Sequence, residues 1–215
     1  MMKLIIFDLD GTLLDTAGDL AGALEHTLEA HSLPGHSIPE YKRMIGRGMR
    51  NLVKSALPPE CLQDDFVDSF LKEFLDWYLS HIDCRTIPYP GIVKLLDDLN
   101  ASGFRIAVAS NKLQAGTDAL IRGFFPGIPF VAICGNGPDY PLKPDAALVQ
   151  YIMDKAGATA DDTVMVGDSG IDILTAKNAG IKSIAVSWGF RPLEDLQGAD
   201  FIVDSAEEIL KIGLE

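Results

Sequence analysis

From Tyr89 onward the chain alternates short apolar runs with stretches of helical periodicity, and that alternation restricts the fold more than any other feature. The apolar runs are residues 105–109, 130–134, 163–166, 182–187 and 200–203, and helical patterns occupy 91–101, 113–122, 144–156, 170–179 and 205–211. Strands and helices alternating at these lengths predict an α/β fold, a doubly wound parallel sheet with helices on both faces. Far upstream, Lys3-Leu4-Ile5-Ile6-Phe7-Asp8-Leu9 adds one more strand of the same buried type. The stretch between, from 16 to about 86, has helical spacing and no convincing strand. Leu20, Ala23, Leu24, Thr27 and Leu28 mark one amphipathic face, and Phe66, Phe70, Phe74, Trp77 and Tyr78 mark another. Pro34, Pro39, Pro58 and Pro59 divide this stretch into about four helices. It is therefore expected to be an insert after the first strand, with its aromatic stripe forming its own core.

Charge and cysteine content exclude more than they identify. With 18 basic and 31 acidic residues the formal charge is −13, so no basic stripe is available for a nucleic acid. An anionic ligand would be repelled at long range, and a phosphate site would need local positive charge from a metal or a lysine. Cys61, Cys84 and Cys134 are odd in number and widely spaced, which fits neither a disulfide framework nor a zinc site. The Leu4–Phe7 run is too short to cross a membrane and lacks the features of a signal peptide. A cytoplasmic protein without a membrane partner is expected, and nothing here specifies an oligomeric state.

In an open α/β sheet, ligands bind beyond the carboxyl ends of the strands. The first strand ends in Asp8-Leu9-Asp10-Gly11-Thr12, and the second in Ser110-Asn111. Lys143 precedes a helix expected near Pro144, and Gly167-Asp168-Ser169 follows a later strand, with Asp172 four residues past Asp168. Each of these has a plain structural reading as well. Asp8 and Asp10 suit a turn at Gly11, while Ser110, Asn111, Asp168 and Ser169 suit helix caps. Lys143 suits it least, because a cation ahead of a helix N-terminus opposes the macrodipole unless an anion lies between them. Asp8 and Asp10, two apart on an extended segment, should point to the same side. With Asp168 they would form an oxygen-rich cluster suited to Mg²⁺.

Asp8-Leu9-Asp10-Gly11-Thr12-Leu13-Leu14-Asp15 resembles the first motif of the haloacid dehalogenase-like hydrolase superfamily. Ser110-Asn111, Lys143 and Gly167-Asp168-Ser169-Gly170-Ile171-Asp172 resemble its second, third and fourth motifs, in order. Tyr89-Pro90-Gly91, Gly46-Arg47-Gly48 and Trp188-Gly189 are similar to landmarks of its phosphoglycolate phosphatase-like subfamily. The resemblance implies a Rossmann-like core from residues 1–15 and 88–215, and a small α-helical cap from 16–87. It implies a Mg²⁺-dependent phosphatase acting on a small phosphorylated metabolite through a phospho-aspartate. In that scheme Asp8 is the nucleophile, Asp10 the general acid and base, and Ser110 and Lys143 hold the phosphoryl group. Backbone N–H groups near Leu9, together with Asn111, complete the phosphoryl cradle. Asp8, the Asp10 carbonyl and Asp168 ligate the metal, and Asp172 supports it.

Within the insert, two glycines around Arg47 suggest a loop tip where the guanidinium meets a substrate carboxylate. The other reading is a solvated arginine ahead of a helix. The superfamily's dehalogenases lack an acid at the position of Asp10, which argues against that chemistry here. A phosphotransferase or mutase, and a non-catalytic binding protein on the same fold, are the competing functional classes.

Overall fold

The computed structural model describes residues 3–214. The outer ends of the expected core segments, Met1, Met2 and Glu215, lie outside the described residues. Six parallel strands form the main sheet: β1 (Leu4–Phe7), β4 (Arg105–Leu113), β5 (Ala132–Asn136), β6 (Thr163–Gly167), β7 (Lys182–Val186) and β8 (Phe201–Val203). Their order is β5-β4-β1-β6-β7-β8. Connections therefore run outward from β1 in both directions, and the loops leaving β1, β4 and β6 diverge at a topological switch point.

The sequence of β1 shows why this sheet is covered on both sides. All four residues are fully buried, but alternate ones belong to different cores. Ile5 and Phe7 pack with Ile106, Val108, Val164 and Val166. That face is covered by α5 (Ile92–Ala101), α6 (Gln114–Phe124) and α9 (Ala206–Leu214). Leu4 and Ile6 pack with Ala107, Ala109 and Met165 beneath α7 (Ala147–Ala156) and α8 (Gly170–Ala179). A two-residue period feeding two apolar layers is what a doubly wound sheet requires.

Four α-helices lie between β1 and α5: α1 (Ala17–Ala30), α2 (Ile38–Met44), α3 (Met49–Ala56) and α4 (Asp64–Ser80). The chain leaves the core along β2 (Leu14–Asp15) and returns along β3 (Ile87–Pro88), which pair antiparallel as a narrow neck. Buried Asp19 fastens that neck. Its carboxylate accepts hydrogen bonds from the backbone N–H groups of Arg85 and Thr86 and from the Thr86 hydroxyl, at 2.7–3.0 Å. In α4, Asp64 and Asp65 suit the N-terminal dipole. Its buried stripe is Val67, Phe70, Phe74 and Tyr78, while Phe66 and Trp77 stand half-buried at its flanks. The apolar face is thus rotated slightly from the aromatic stripe read in the sequence, because Val67 takes a core position between two turns.

All three cysteines are free. Among the described residues, no helix is long and apolar enough to cross a membrane.

Candidate active site

Immediately beyond β1 the chain turns, and glycine allows the turn to close on a carboxylate. Gly11 has φ of 86°, and a Cβ there would lie 2.3 Å from Asp168 Oδ2, so a side chain would be both strained and obstructed. Gly189, after β7, approaches the same residue; a Cβ there would sit 2.2 Å from Asp168 Cβ. These close approaches leave Asp168 buried, with Oδ2 accepting the Phe190 N–H at 2.6 Å.

Asp8, Asp168 and Asp172 each place a carboxylate oxygen within 4.8 Å of the others, and all three are buried. The Lys143 ammonium enters this cluster, 2.9 Å from Asp8 Oδ1 and 2.7 Å from Asp172 Oδ1. Burial, reinforced by Asp172 and Asp10, pushes the Asp8 carboxyl up to about 7 despite Lys143. Burial and the charges of Asp172 and Asp8 likewise raise Asp168 well above the usual carboxylate range. For Lys143, burial alone would lower the pKa, but Asp172 and Asp8 together outweigh it and hold the ammonium charged. Three acids around one lysine leave uncompensated negative charge, and an all-oxygen donor set suits a hard divalent cation.

The cluster differs from the expected trio in one member. β1 ends at Phe7, so the alternation that would aim Asp8 and Asp10 alike stops before either residue. The Asp10 carboxylate instead accepts from Thr16 Oγ1 at 2.6 Å and Lys112 Nζ at 3.0 Å. Asp172 occupies the third place, and its two oxygens have different partners. Oδ1 faces Lys143, while Oδ2 accepts from the Ser169 N–H and hydroxyl at the start of α8. The capping and polar-cluster readings of this turn therefore hold together.

Lys143 also differs from its expected setting. The helix begins at Ala147 and not near Pro144, so the macrodipole argument lapses and the acidic cluster is what balances the lysine charge. Asn111 braces this segment. Its Oδ1 accepts the Lys143 N–H at 2.8 Å, and its Nδ2 donates to the carbonyls of Lys143 and Gly46. Ser110 accepts the Lys112 N–H at 3.2 Å, which leaves its own proton to donate. The Leu9 N–H donates to Asp8 Oδ1 at 2.7 Å, so both contacts to Asp8 fall on one oxygen.

A cleft of about 20 Å³, room for roughly one water, lies over these groups. Its floor is Asp8, Asp10, Ser110, Asn111 and Lys112, and its apolar roof includes Leu20, Ile45, Met49 and Leu52. Gly46 and Gly48 line it, but Arg47 does not. Exposed Arg47 borders a separate depression with Ser169, Gly170, Arg191 and Asp195. The Arg191 guanidinium donates to the Lys42 and Ile45 carbonyls, which ties α2 to the loop after β7. Lys112 is the polar member of the site that the sequence reading passed over. Its position two residues past Ser110 was the available signal, but nothing local distinguishes it from a solvated loop lysine.

Residues 5–186 match the family of haloacid dehalogenase-like hydrolases. A phosphoglycolate phosphatase of Caulobacter vibrioides is 36% identical, covering 96% of this chain and 89% of its own length. One from Aquifex aeolicus is 32% identical, covering 98% and 96%. Among solved structures, a predicted phosphoglycolate phosphatase from Haemophilus somnus superposes with a TM-score of 0.90 at 30% identity, covering 98% and 97% of the two chains. With the family matched over most of its length and relatives this similar from end to end, the chain belongs to the haloacid dehalogenase-like hydrolases.

Proposed function

We propose that this phosphatase hydrolyses a small phosphomonoester, with phosphoglycolate the first candidate, through a phospho-aspartate formed on Asp8. The observation that carries the proposal is the buried cluster of Asp8, Lys143, Asp168 and Asp172 beside Ser110. Relatives named phosphoglycolate phosphatase supply the substrate candidate. Asp8, Asp168 and Asp172 with the Asp10 carbonyl would hold Mg²⁺, which when bound offsets the charge of the carboxylates and phosphate.

In the first half-reaction an Asp8 carboxylate oxygen attacks phosphorus, and the bond from phosphorus to the substrate oxygen breaks. Asp10 gives that oxygen a proton. Asp10 then takes a proton from water as the water oxygen attacks phosphorus. The bond to Asp8 breaks, and phosphate and the free carboxylate are regenerated. Lys143 and the Ser110 hydroxyl hold phosphoryl oxygens throughout. The free space of the cleft is far too small for such a substrate, so the four-helix cap (residues 16–87) must swing open on its neck. That motion breaks the contacts of Arg191 and Asn111 to α2 and Gly46, and closure then excludes water. The roof offers the α3 N-terminus, where Gly48 provides no side-chain cap, to the far end of an anionic substrate.

Phosphate release from a panel of phosphorylated metabolites with Mg²⁺ tests the reading, with the highest kcat/KM expected for phosphoglycolate. Transfer of the phosphoryl group to a second sugar without free phosphate would instead identify a mutase. Because Arg47 stands outside the cleft, Arg47→Ala is expected to lower kcat/KM by less than about fivefold, as for an exposed charge. The loss should be equal for phosphoglycolate and p-nitrophenyl phosphate. A loss beyond tenfold confined to phosphoglycolate would return Arg47 to the role of carboxylate reader.

A further inference from the structure

Lys112 lies two residues past Ser110, near the end of β4, and its side chain is completely buried. Withdrawing an ammonium from water costs several kcal/mol even when it is paired, and an apolar residue of similar length would fill the same space without that cost. Stability therefore does not account for a lysine here. Its surroundings suggest another reason. Nζ lies 3.0 Å from Asp10 Oδ1 and 3.4 Å from Oδ2, and Thr16 Oγ1 donates to the same Oδ1 at 2.6 Å. On its other side Nζ sits 4.8 Å from the centroid of the Tyr78 ring, an attractive placement for a desolvated cation. Its stem runs beside Gly116 of α6, where a Cβ would come 3.5 Å from Lys112 Cε.

We propose that Lys112 is a positioning residue for the reaction, acting through Asp10 and held in place by Tyr78 of α4. The proposal rests on the reading of Asp10 as proton donor and acceptor. One carboxylate has to serve both half-reactions, so its aim matters twice. Two donors pin Oδ1, and Oδ2, which has only the longer contact, is the oxygen left for the leaving group and then for water. Rotating the carboxylate would break both short contacts. The ring belongs to the helical segment and the lysine to the core. Asp10 is therefore fully braced only while α4 lies against the core, which links closure to the aim of the proton-transfer group.

Asp10→Asn is the reference for the test. With Mg²⁺ it should release about one equivalent of p-nitrophenolate from p-nitrophenyl phosphate, since that leaving group needs no proton, and then stall as the phosphoenzyme. Lys112→Met is expected to keep the burst and lower the steady-state rate by about 10–100-fold, with KM for phosphoglycolate within about threefold of wild type. Met leaves the Asp10 charge without its partner and can prevent folding. Asp10→Asn/Lys112→Met removes both charges and avoids that problem. Its burst should match Asp10→Asn in amplitude and rate, as for a residue that acts solely through Asp10.

A burst at least about tenfold slower in the double variant would overturn the proposal, because such non-additivity fails for a residue with its own contact to substrate. A rise in phosphoglycolate KM with unchanged kcat in Lys112→Met would overturn it for the same reason. An unchanged steady-state rate in folded Lys112→Met also refutes it. If Asp10→Asn forms no phosphoenzyme at all, the mechanism assigned to Asp8 and Asp10 is wrong and this proposal falls with it. That failure is recognisable because it occurs with Lys112 intact.

Discussion

Asp8→Asn is expected to reduce turnover of phosphoglycolate and of p-nitrophenyl phosphate by at least about 10⁴-fold, the scale of loss when a nucleophile is removed. The amide has nearly the same shape and can still accept the Leu9 N–H that now meets Asp8 Oδ1 at 2.7 Å. Lys143 keeps its 2.7 Å contact to Asp172, so the substitution does not strand a buried cation. It also removes one of three buried acids that repel one another. The metal-free variant should therefore melt at or above the wild-type temperature, a case of an active site that costs stability. Both results can be obtained on one preparation, by phosphate release and by thermal unfolding. Activity within tenfold of wild type would sink the covalent mechanism. A lowered melting temperature would mean that the Asp8–Lys143 pair contributes more to the fold than repulsion among the acids takes away.

Removing the metal should abolish activity, by about 10³-fold or more if the cation supplies several kcal/mol of transition-state stabilisation. It should also leave a pH signature in stability. The Asp8 carboxyl titrates near 7 in the metal-free fold against 3.8 when unfolded, and Asp168 is shifted in the same direction. Between these values the native state holds protons that the unfolded state has lost, so stability falls as pH rises. This contribution is fully present below about pH 4 and is gone once the pH passes 7. Mg²⁺ competes with those protons and binds the ionised cluster best at higher pH, so its stabilising effect should grow there. Thermal unfolding with EDTA and with excess Mg²⁺, at steps from pH 5.5 to 8, should show a gap in Tm that widens with pH. Comparing the two conditions at each pH cancels groups elsewhere in the chain. A constant gap, or full activity in demetallated protein, would show that the acidic cluster does not hold the cation.

The apolar runs and helical periods after Tyr89 were enough to predict a doubly wound parallel sheet, because burial on two faces leaves a pattern in each strand. The positions of Asp8 and Asp168 just beyond strand ends were legible for the same reason: a parallel sheet delivers those ends to one edge. Ser110 and Asn111, expected at the end of the second strand, lie within β4, which runs on to Leu113 past a shift in register. Side-chain direction past a strand end was not legible. Asp10 leaves the cluster because Thr16 and Lys112 draw its carboxylate away, and Asp172 enters it because one turn of α8 carries it back over Asp168. Arg47, expected at a loop tip facing a substrate carboxylate, stands exposed outside the cleft, and Lys112, which the sequence did not single out, is buried at its floor. Local sequence sets which residues turn, pair or pack in a periodic element. Which charge loses its water depends on what folds over it, and for Lys112 that cover is Tyr78, thirty-four positions earlier in the chain, on α4 between β2 and β3.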